Sequence, residues 1–127
     1  MPRFPTLSEV LLILQDQIRR YGGLYGVRDL ALLSSALAMP SAAFDGNLLH
    51  KNVYDQASAY AFHICQNHPF LDGNKRVALA SALVFLDFNG VEVQDPREEL
   101  YTLMIGVAEG RKTKSDIADA LRRLAED

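Results

Sequence analysis

Apolar residues recur every three or four positions along most of the chain, and short segments rich in glycine, proline, asparagine and aspartate interrupt them. This spacing is typical of amphipathic helices separated by turns. The first helix is predicted to begin after Thr6, which has capping-box spacing with Glu9, and it should end before Gly22 and Gly23. Its apolar stripe is expected to consist of Leu7, Val10, Leu11, Leu14 and Ile18.

A short second helix and a turn follow in the predicted order. Asp29 can cap a helix over Leu30–Ala38, which Pro40 then stops. The next segment, SAAFDGNLLHKN, has aspartate, glycine and asparagine in turn-forming order at Asp45, Gly46 and Asn47. This segment is therefore predicted to be a hairpin or flap rather than a helix.

The third and fourth helices contain the two most apolar runs of the chain. They are predicted over about Asn52–Asn67 and Asn74–Asn89. Because Val77–Leu86 is apolar on every face, the fourth helix should be surrounded by other helices. The two helices should form a central hairpin joined by the segment HPFLDG.

Two more helices complete the predicted fold. Asp95, Pro96 and Glu98 signal a helix start, with a buried stripe of Leu100, Leu103, Met104 and Val107. A last helix from about Ser115 should direct Ile117, Leu121 and Leu124 inward. The prediction is an all-α, compact bundle of about six helices in one domain over residues 1–127, with a short β-hairpin flap.

Composition and charge restrict the function classes. A chain of 127 residues with 49% hydrophobic and 23% charged residues is typical of a globular domain with one core. The net charge of −3 argues against direct nucleic-acid binding through general positive charge. No apolar stretch reaches the roughly 18 residues of a membrane span, and the N-terminus lacks the core of a secretory signal. A cytoplasmic protein without a membrane partner is expected, and its single cysteine, Cys65, should be buried and inert.

The connection between the central helices, HPFLDGNKR over His68–Arg76, places four ionisable side chains between apolar flanks. Asn74, Lys75 and Arg76 fall in the first turn of a helix, where free N–H groups and the helix dipole attract an anion. Arginine binds phosphate oxygens as a fork and lysine as a point charge, and Gly73 allows the backbone to approach a ligand closely. These residues predict a phosphate site.

The other charged side chains of the connection suggest proton and metal chemistry. His68 precedes Pro69, which ends the third helix, and a histidine there can act as a general base on a hydroxyl. Asp72 can be an N-cap, a ligand for a magnesium ion that bridges phosphates, or both.

The remaining residues of this region have structural interpretations. Phe70 and Leu71 are expected to plug the loop into the core and so fix the direction of His68. His50 and His63 are interpreted as structural, because no zinc-binding spacing accompanies them.

The segment HPFLDGNKR resembles the signature of the Fic/Doc family, in which histidine, phenylalanine, an acid, a small residue, asparagine and arginine occupy fixed positions. The resemblance extends to RRYGGLYGVRDLALLSSALAMP before the motif and SALVFLDFNGVEV after it, and so covers nearly the whole chain. It implies a compact helical fold, in agreement with the periodicity.

Two positions indicate the branch of the family. Members with glycine after the asparagine mostly transfer AMP and carry a second arginine three residues after the first. This chain has Lys75 and Leu79 there, as in the Doc, or death-on-curing, branch. That resemblance implies a toxin that transfers the γ-phosphate of ATP to a hydroxyl of a protein, with a threonine of elongation factor Tu as the family's known target, and so inhibits translation.

The resemblance also implies roles for individual residues. His68 would be the base and Asp72 the ligand of Mg²⁺, and Phe70 would support the loop. The phosphate binders would be Gly73, Asn74, Lys75 and Arg76. For Arg20 there are two interpretations: it would contact the target or nucleotide, or it is a solvated arginine at a helix end. The segment with Phe44, Asp45 and Gly46 would hold a target peptide by strand addition, or it is a surface turn.

Two alternative functions remain open at the level of sequence. One is transfer of AMP or another nucleotide-derived group to a protein hydroxyl, which Lys75 and Leu79 disfavour. The other is a catalytically silent module that only binds a partner, which the complete motif disfavours. The family resemblance further implies a Phd-like antitoxin whose disordered end folds as a helix in a groove of the toxin, because the sequence lacks an internal inhibitory helix.

Overall fold

The computed structural model describes residues 2–126, and its elements confirm an all-α fold. Six helices and one two-stranded antiparallel sheet follow each other along the chain. The helices are α1 (Leu7–Tyr21), α2 (Leu30–Ala38), α3 (Val53–Asn67), α4 (Asn74–Phe88), α5 (Glu99–Ala108) and α6 (Lys114–Ala125), and the strands are β1 (Ala43–Phe44) and β2 (Asn47–Leu48).

Three helices begin at side-chain caps that the sequence predicts. Thr6 and Glu9 form the reciprocal capping box of α1, and Asp29 accepts a hydrogen bond from the backbone N–H of Leu32 at the start of α2. Asn52 caps α3 in the same way. Each such cap satisfies a backbone donor that has no partner within its helix, which stabilises a helix start by about 1 kcal/mol.

Helices α3 and α4 form the central hairpin, as predicted, and pack against each other more extensively than any other pair. Helices α2 and α6 pack against α3, and α1 packs against α4. No residue of Val77–Leu86 is exposed, which confirms that other helices surround α4. The largest fully buried hydrophobic side chains belong to one cluster: Tyr60, Phe70, Phe85, Leu14, Leu33, Ile64, Leu86, Leu100, Met104, Ile117 and Leu121.

The predicted hairpin is present between α2 and α3. Ala43 pairs with Leu48, and Phe44 pairs with Asn47. Asp45 and Gly46 both have positive φ, at 53° and 79°, as the two central residues of a type I′ turn require. Phe44 at the tip is 77% exposed, so the hairpin projects an aromatic ring into solvent.

Three details differ from the sequence interpretation. Helix α5 begins at Glu99, later than Asp95 and Pro96 suggest, because the Asp95 carboxylate reaches past an intervening turn to accept from the N–H groups of Glu99 and Leu100 at 2.9 and 3.0 Å. Helix α6 begins one residue before Ser115. Leu7 is 39% exposed and so lies outside the buried stripe of α1.

The environment of Cys65 and the apolar character of the helices bear on two further expectations. Cys65 is buried, and burial raises the pKa of its thiol against an opposing effect of Lys75, as expected of an inert cysteine. Among the described residues, no helix is both long and apolar enough to cross a bilayer.

His50 and His63 take part in a partly buried contact with the start of α6. The Lys114 ammonium at the start of α6 lies 3.0 Å from Nε2 of each histidine. Burial lowers the pKa of His63 to about 4, with further lowering by Lys114 and His50. Burial and Lys114 also lower the pKa of His50, whereas Asp55 opposes this effect. Both rings are therefore neutral at pH 7 and accept hydrogen bonds from one lysine.

This cluster predicts that the protein loses stability as the pH falls from about 6.5 toward 4. In that window the unfolded chain binds protons that folded His63 and His50 do not bind, so the free energy of unfolding decreases on acidification. We expect the melting temperature to fall between pH 7 and pH 5, and to fall less in His63→Gln, which keeps an acceptor for Lys114 but does not titrate. An equal fall in both proteins would contradict this account.

Candidate active site

The loop between α3 and α4 is held along its backbone by the segment between α1 and α2. Residues 26–29 lie antiparallel to residues 69–71, with an isolated β-bridge between Val27 and Phe70. The flanking backbone hydrogen bonds run from Arg28 N and Asp29 N to Pro69 O, at 2.7 and 3.1 Å, and from Leu71 N to Gly26 O, at 3.0 Å. The loop therefore has a fixed path although it contains little regular structure.

Phe70 and Asn74 anchor the centre of the loop. The Phe70 ring is fully buried. The Asn74 side chain, also buried, accepts from Phe70 N at 2.9 Å and donates from Nδ2 to Phe70 O at 3.0 Å. Leu71, in contrast, is 48% exposed, so the prediction that it plugs the loop into the core is wrong. Pairing of its N–H with Gly26 turns residue 71 away from the buried side of the loop.

His68 lies at the C-terminal end of α3 in the left-handed conformation, with φ 51° and ψ 53°, and it is exposed. For a residue other than glycine this conformation costs about 1–2 kcal/mol. The carbonyl of His68 accepts two hydrogen bonds from the Arg28 guanidinium, from Nε at 2.9 Å and from Nη2 at 2.6 Å. Arg28 Nη2 also donates to the Asn67 carbonyl at 3.2 Å.

Asp72 faces the glycine pair that follows α1. Its Oδ2 accepts from the N–H of Leu24 at 2.7 Å. The N-cap position of α4 belongs instead to Gly73, which has φ 80° and no side-chain cap, so the interpretation of Asp72 as an N-cap is wrong. Gly23 must lack a side chain, because a Cβ there would lie 2.9 Å from the Cβ of Asp72 and the backbone has φ 110°.

Lys75 and Arg76 lie in the first turn of α4, beside a cavity of about 330 Å³. The Arg76 guanidinium lies over two aromatic rings, 3.8 Å from the centroid of Tyr21 and 4.3 Å from that of Tyr101. Stacking of this kind leaves the in-plane N–H groups of an arginine available for a phosphate. The cavity is lined by Gln17, Ile18, Tyr21, Gly22, Gly23, Asp72, Gly73, Lys75, Arg76 and Tyr101.

The structure thus brings Asp72, Gly73, Lys75 and Arg76 together around one cavity, whereas His68 is exposed and does not line it. The Asn74 side chain is occupied by Phe70, so only its backbone N–H remains for an anion. Phosphate binding by these residues and the catalytic role of His68 remain predictions.

The outlying candidates do not join this cavity. Arg20 is exposed and pairs with Asp16 one turn earlier in α1, with Nε 2.9 Å from Oδ2, as a solvated helix-end arginine does. Phe44, Asp45 and Gly46 form the exposed tip of the hairpin. Their predicted role in contacting a target remains a prediction.

The donor set fits a magnesium ion that is shared with a ligand. Asp72 is exposed, and only its Oδ2 is engaged by Leu24 within residues 2–126. In the same part of the chain, no three histidine, cysteine or acidic side chains form a group that could enclose a metal. Magnesium commonly binds through one or two carboxylates plus phosphate oxygens and water, and a single carboxylate beside a cavity that Lys75 and Arg76 also line suits that mode.

Sequence reasoning missed three residues of the site. Arg28 and Tyr101 lie far along the chain from the motif, and only the fold brings them to it. Tyr21 directly precedes the glycine pair, but nothing in its spacing indicates that it stacks on Arg76. One signal was present for Arg28, because an arginine just before a helix cap has no partner in its own helix.

A helical hairpin that ends in a histidine-led loop and a basic helix start defines the kind of domain present here, and the comparisons assign its family. The sequence model of the Fic/DOC family matches residues 4–86. Protein kinase doc of Escherichia phage P1 is 38% identical over 117 residues, which cover 91% of each chain. Toxin Doc of Mycolicibacterium smegmatis (strain ATCC 700084 / mc(2)155) is 41% identical over 73 residues, 58% of this chain and 56% of that protein.

The chain belongs to the Fic/Doc family. Both relatives carry the name Doc, which confirms the resemblance to the Doc branch that Lys75 and Leu79 indicate.

The Asn74–Phe70 pair predicts a large effect of one substitution on stability. In Asn74→Ala the buried N–H and C=O of Phe70 lose their partners, so we expect the free energy of unfolding to fall by about 2 kcal/mol or more. Asn67→Ala is the matched control, because it removes a single amide bond to the Leu32 carbonyl and should cost about 1 kcal/mol. Urea unfolding measures both, and a smaller loss in Asn74→Ala than in Asn67→Ala would contradict the anchoring role.

Proposed function

We propose that the protein is a Doc-type toxin that transfers the γ-phosphate of ATP to a threonine or serine hydroxyl of a protein. The observation that carries the proposal is the Asp72–Gly73–Lys75–Arg76 surface of one cavity, at the end of the hairpin that also presents His68. The names of both relatives support it, and one of them is a protein kinase.

In the proposed reaction His68 takes the proton of the target hydroxyl as a general base. The hydroxyl oxygen bonds to the γ-phosphorus, the bond from that phosphorus to the bridging oxygen breaks, and ADP leaves. His68 is exposed at the loop start and can therefore meet a hydroxyl delivered from outside the molecule. Proton transfer by a positioned side chain contributes roughly 10²–10⁴-fold to rate.

Positive charge and backbone N–H groups would stabilise the phosphates. The Arg76 guanidinium packs against the rings of Tyr21 and Tyr101, and the Lys75 ammonium is a second positive charge on the same cavity. Asp72 would hold Mg²⁺, which supplies charge neutralisation at the phosphate oxygens when it is bound. Phosphoryl transfer depends mainly on position and electrostatics, so the phosphorus that lies in line with the hydroxyl decides the product. Lys75 in place of glycine would select the γ-phosphorus.

Two macromolecular partners belong to the proposal. Elongation factor Tu is the proposed target, and its modification would inhibit translation; the exposed hairpin tip with Phe44 is available to pair with an extended target segment. A Phd-like antitoxin would restrain the toxin by placing a helix in a groove. A groove for such a helix lies between α4 and α5, where apolar contacts would come from Leu79, Ala80 and Leu83 and charged contacts from Arg76, Asp95 and Glu98.

The proposal predicts which label reaches the target. Purified protein, elongation factor Tu and Mg²⁺ are incubated with ATP that carries label at either the α- or the γ-phosphate. We expect γ-label on the target and a decrease of about 10²–10⁴-fold in His68→Ala. Label from the α-phosphate would instead establish AMP transfer, and no label on any target would favour a silent binding module. Full activity of His68→Ala would refute the general-base role.

Asp72→Asn tests the metal site separately. Asparagine keeps an acceptor oxygen for the Leu24 N–H but removes the charge, so the fold should survive. We expect the Mg²⁺ concentration for half-maximal activity to rise about tenfold or more, since even indirect partners of metal ligands are worth that much. Calorimetric titration with ATP at several Mg²⁺ concentrations gives a readout independent of turnover. An unchanged Mg²⁺ dependence would remove Asp72 from the metal site.

A further inference from the structure

We propose that Arg28 is a positioning residue for the reaction, because it holds the backbone of His68 in the conformation that presents the imidazole. This inference rests on the proposed function. It assigns a role to a residue outside the HPFLDGNKR motif, 40 positions before the histidine.

The Arg28 guanidinium forms all its hydrogen bonds with the C-terminal end of α3. Three hydrogen bonds join Arg28 to carbonyl oxygens, two to His68 and one to Asn67. Carbonyls at a helix C-terminus lack partners within the helix and carry the negative end of its dipole, so a guanidinium there is favourable in both charge and geometry. Hydrogen bonds from a charged donor are also roughly twice as strong as neutral ones.

No hydrogen bond orients the imidazole itself. Within residues 2–126 the His68 ring makes no hydrogen bond, and the side chain is exposed. The backbone of residue 68, which is in a strained left-handed conformation, sets the direction of the Cα–Cβ bond from which the ring projects. A general base must reach its proton within about 2.6–3.2 Å, and a displacement of about 1 Å can reduce a rate about 10²-fold.

Other exposed arginines of the molecule have different partners. Arg20 pairs with Asp16 and Arg123 pairs with Glu99, whereas within the described residues the Arg28 guanidinium forms no ion pair and binds only carbonyls at the end of α3. Arg123 is a suitable control, because its two hydrogen bonds to Glu99 also join two elements, α5 and α6.

Kinetics of Arg28→Met, Arg28→Lys and Arg123→Met test the role. We expect Arg28→Met to lower kcat about 10–100-fold with KM for ATP changed by no more than about twofold, since the phosphate cavity does not include Arg28. Arg28→Lys should recover only part of kcat, because an ammonium cannot form the planar fork. Arg123→Met should leave both constants unchanged. A rise in KM with unchanged kcat would overturn the proposal.

Two further measurements separate positioning from a general loss of stability. Millimolar guanidinium should restore part of the kcat of Arg28→Ala, and the imidazole resonances of His68 should shift in Arg28→Met but not in Arg123→Met. Absence of both effects would overturn the positioning role. If the wild-type protein transfers no phosphate, the proposed function fails and the role of Arg28 fails with it. Transfer by wild type with normal kcat in Arg28→Met would refute the role of Arg28 alone.

Discussion

Two hydrogen bonds between the Asn74 amide and the backbone of Phe70 are the constraint on which the site depends. They satisfy a buried donor and a buried acceptor in a loop that has no regular structure to do so. They also fix the distance between the end of the loop and the start of α4. Because the Phe70 ring is at the same time locked into the core, the loop has one path and the residues on either side of it have one position.

Around this anchor the buried and exposed residues have separate tasks. The apolar faces of α3 and α4 are enclosed by α1, α2, α5 and α6, and they provide a rigid support. The ionisable groups lie where that support ends: His68 and Asp72 are exposed, and Lys75 and Arg76 are half-buried. The charged motif between two apolar runs follows from this arrangement, since the flanks are needed to hold it.

Much of the fold could be predicted from local sequence signals. The capping residues Thr6, Asp29 and Asn52, and the Asp45–Gly46 turn, act within a few residues, so they can be recognised without knowledge of tertiary contacts. Within the site, the errors concern residues whose environment is set by distant segments. Leu71 is exposed because its N–H pairs with Gly26, and Asp72 faces Leu24 rather than capping α4. The partner of Arg28 lies 40 positions later in the chain, so the sequence did not identify it.

The hydrogen bonds between residues 26–29 and residues 68–71 also affect the order of folding. The residues that it joins are about 40 positions apart, so the chain must close a long loop before His68 acquires its conformation. During synthesis residues 26–29 emerge before residues 68–71, and the two segments can pair only after the third helix has also been made. The geometry of the loop over residues 68–71 should therefore form late, after the central hairpin has packed against the first two helices.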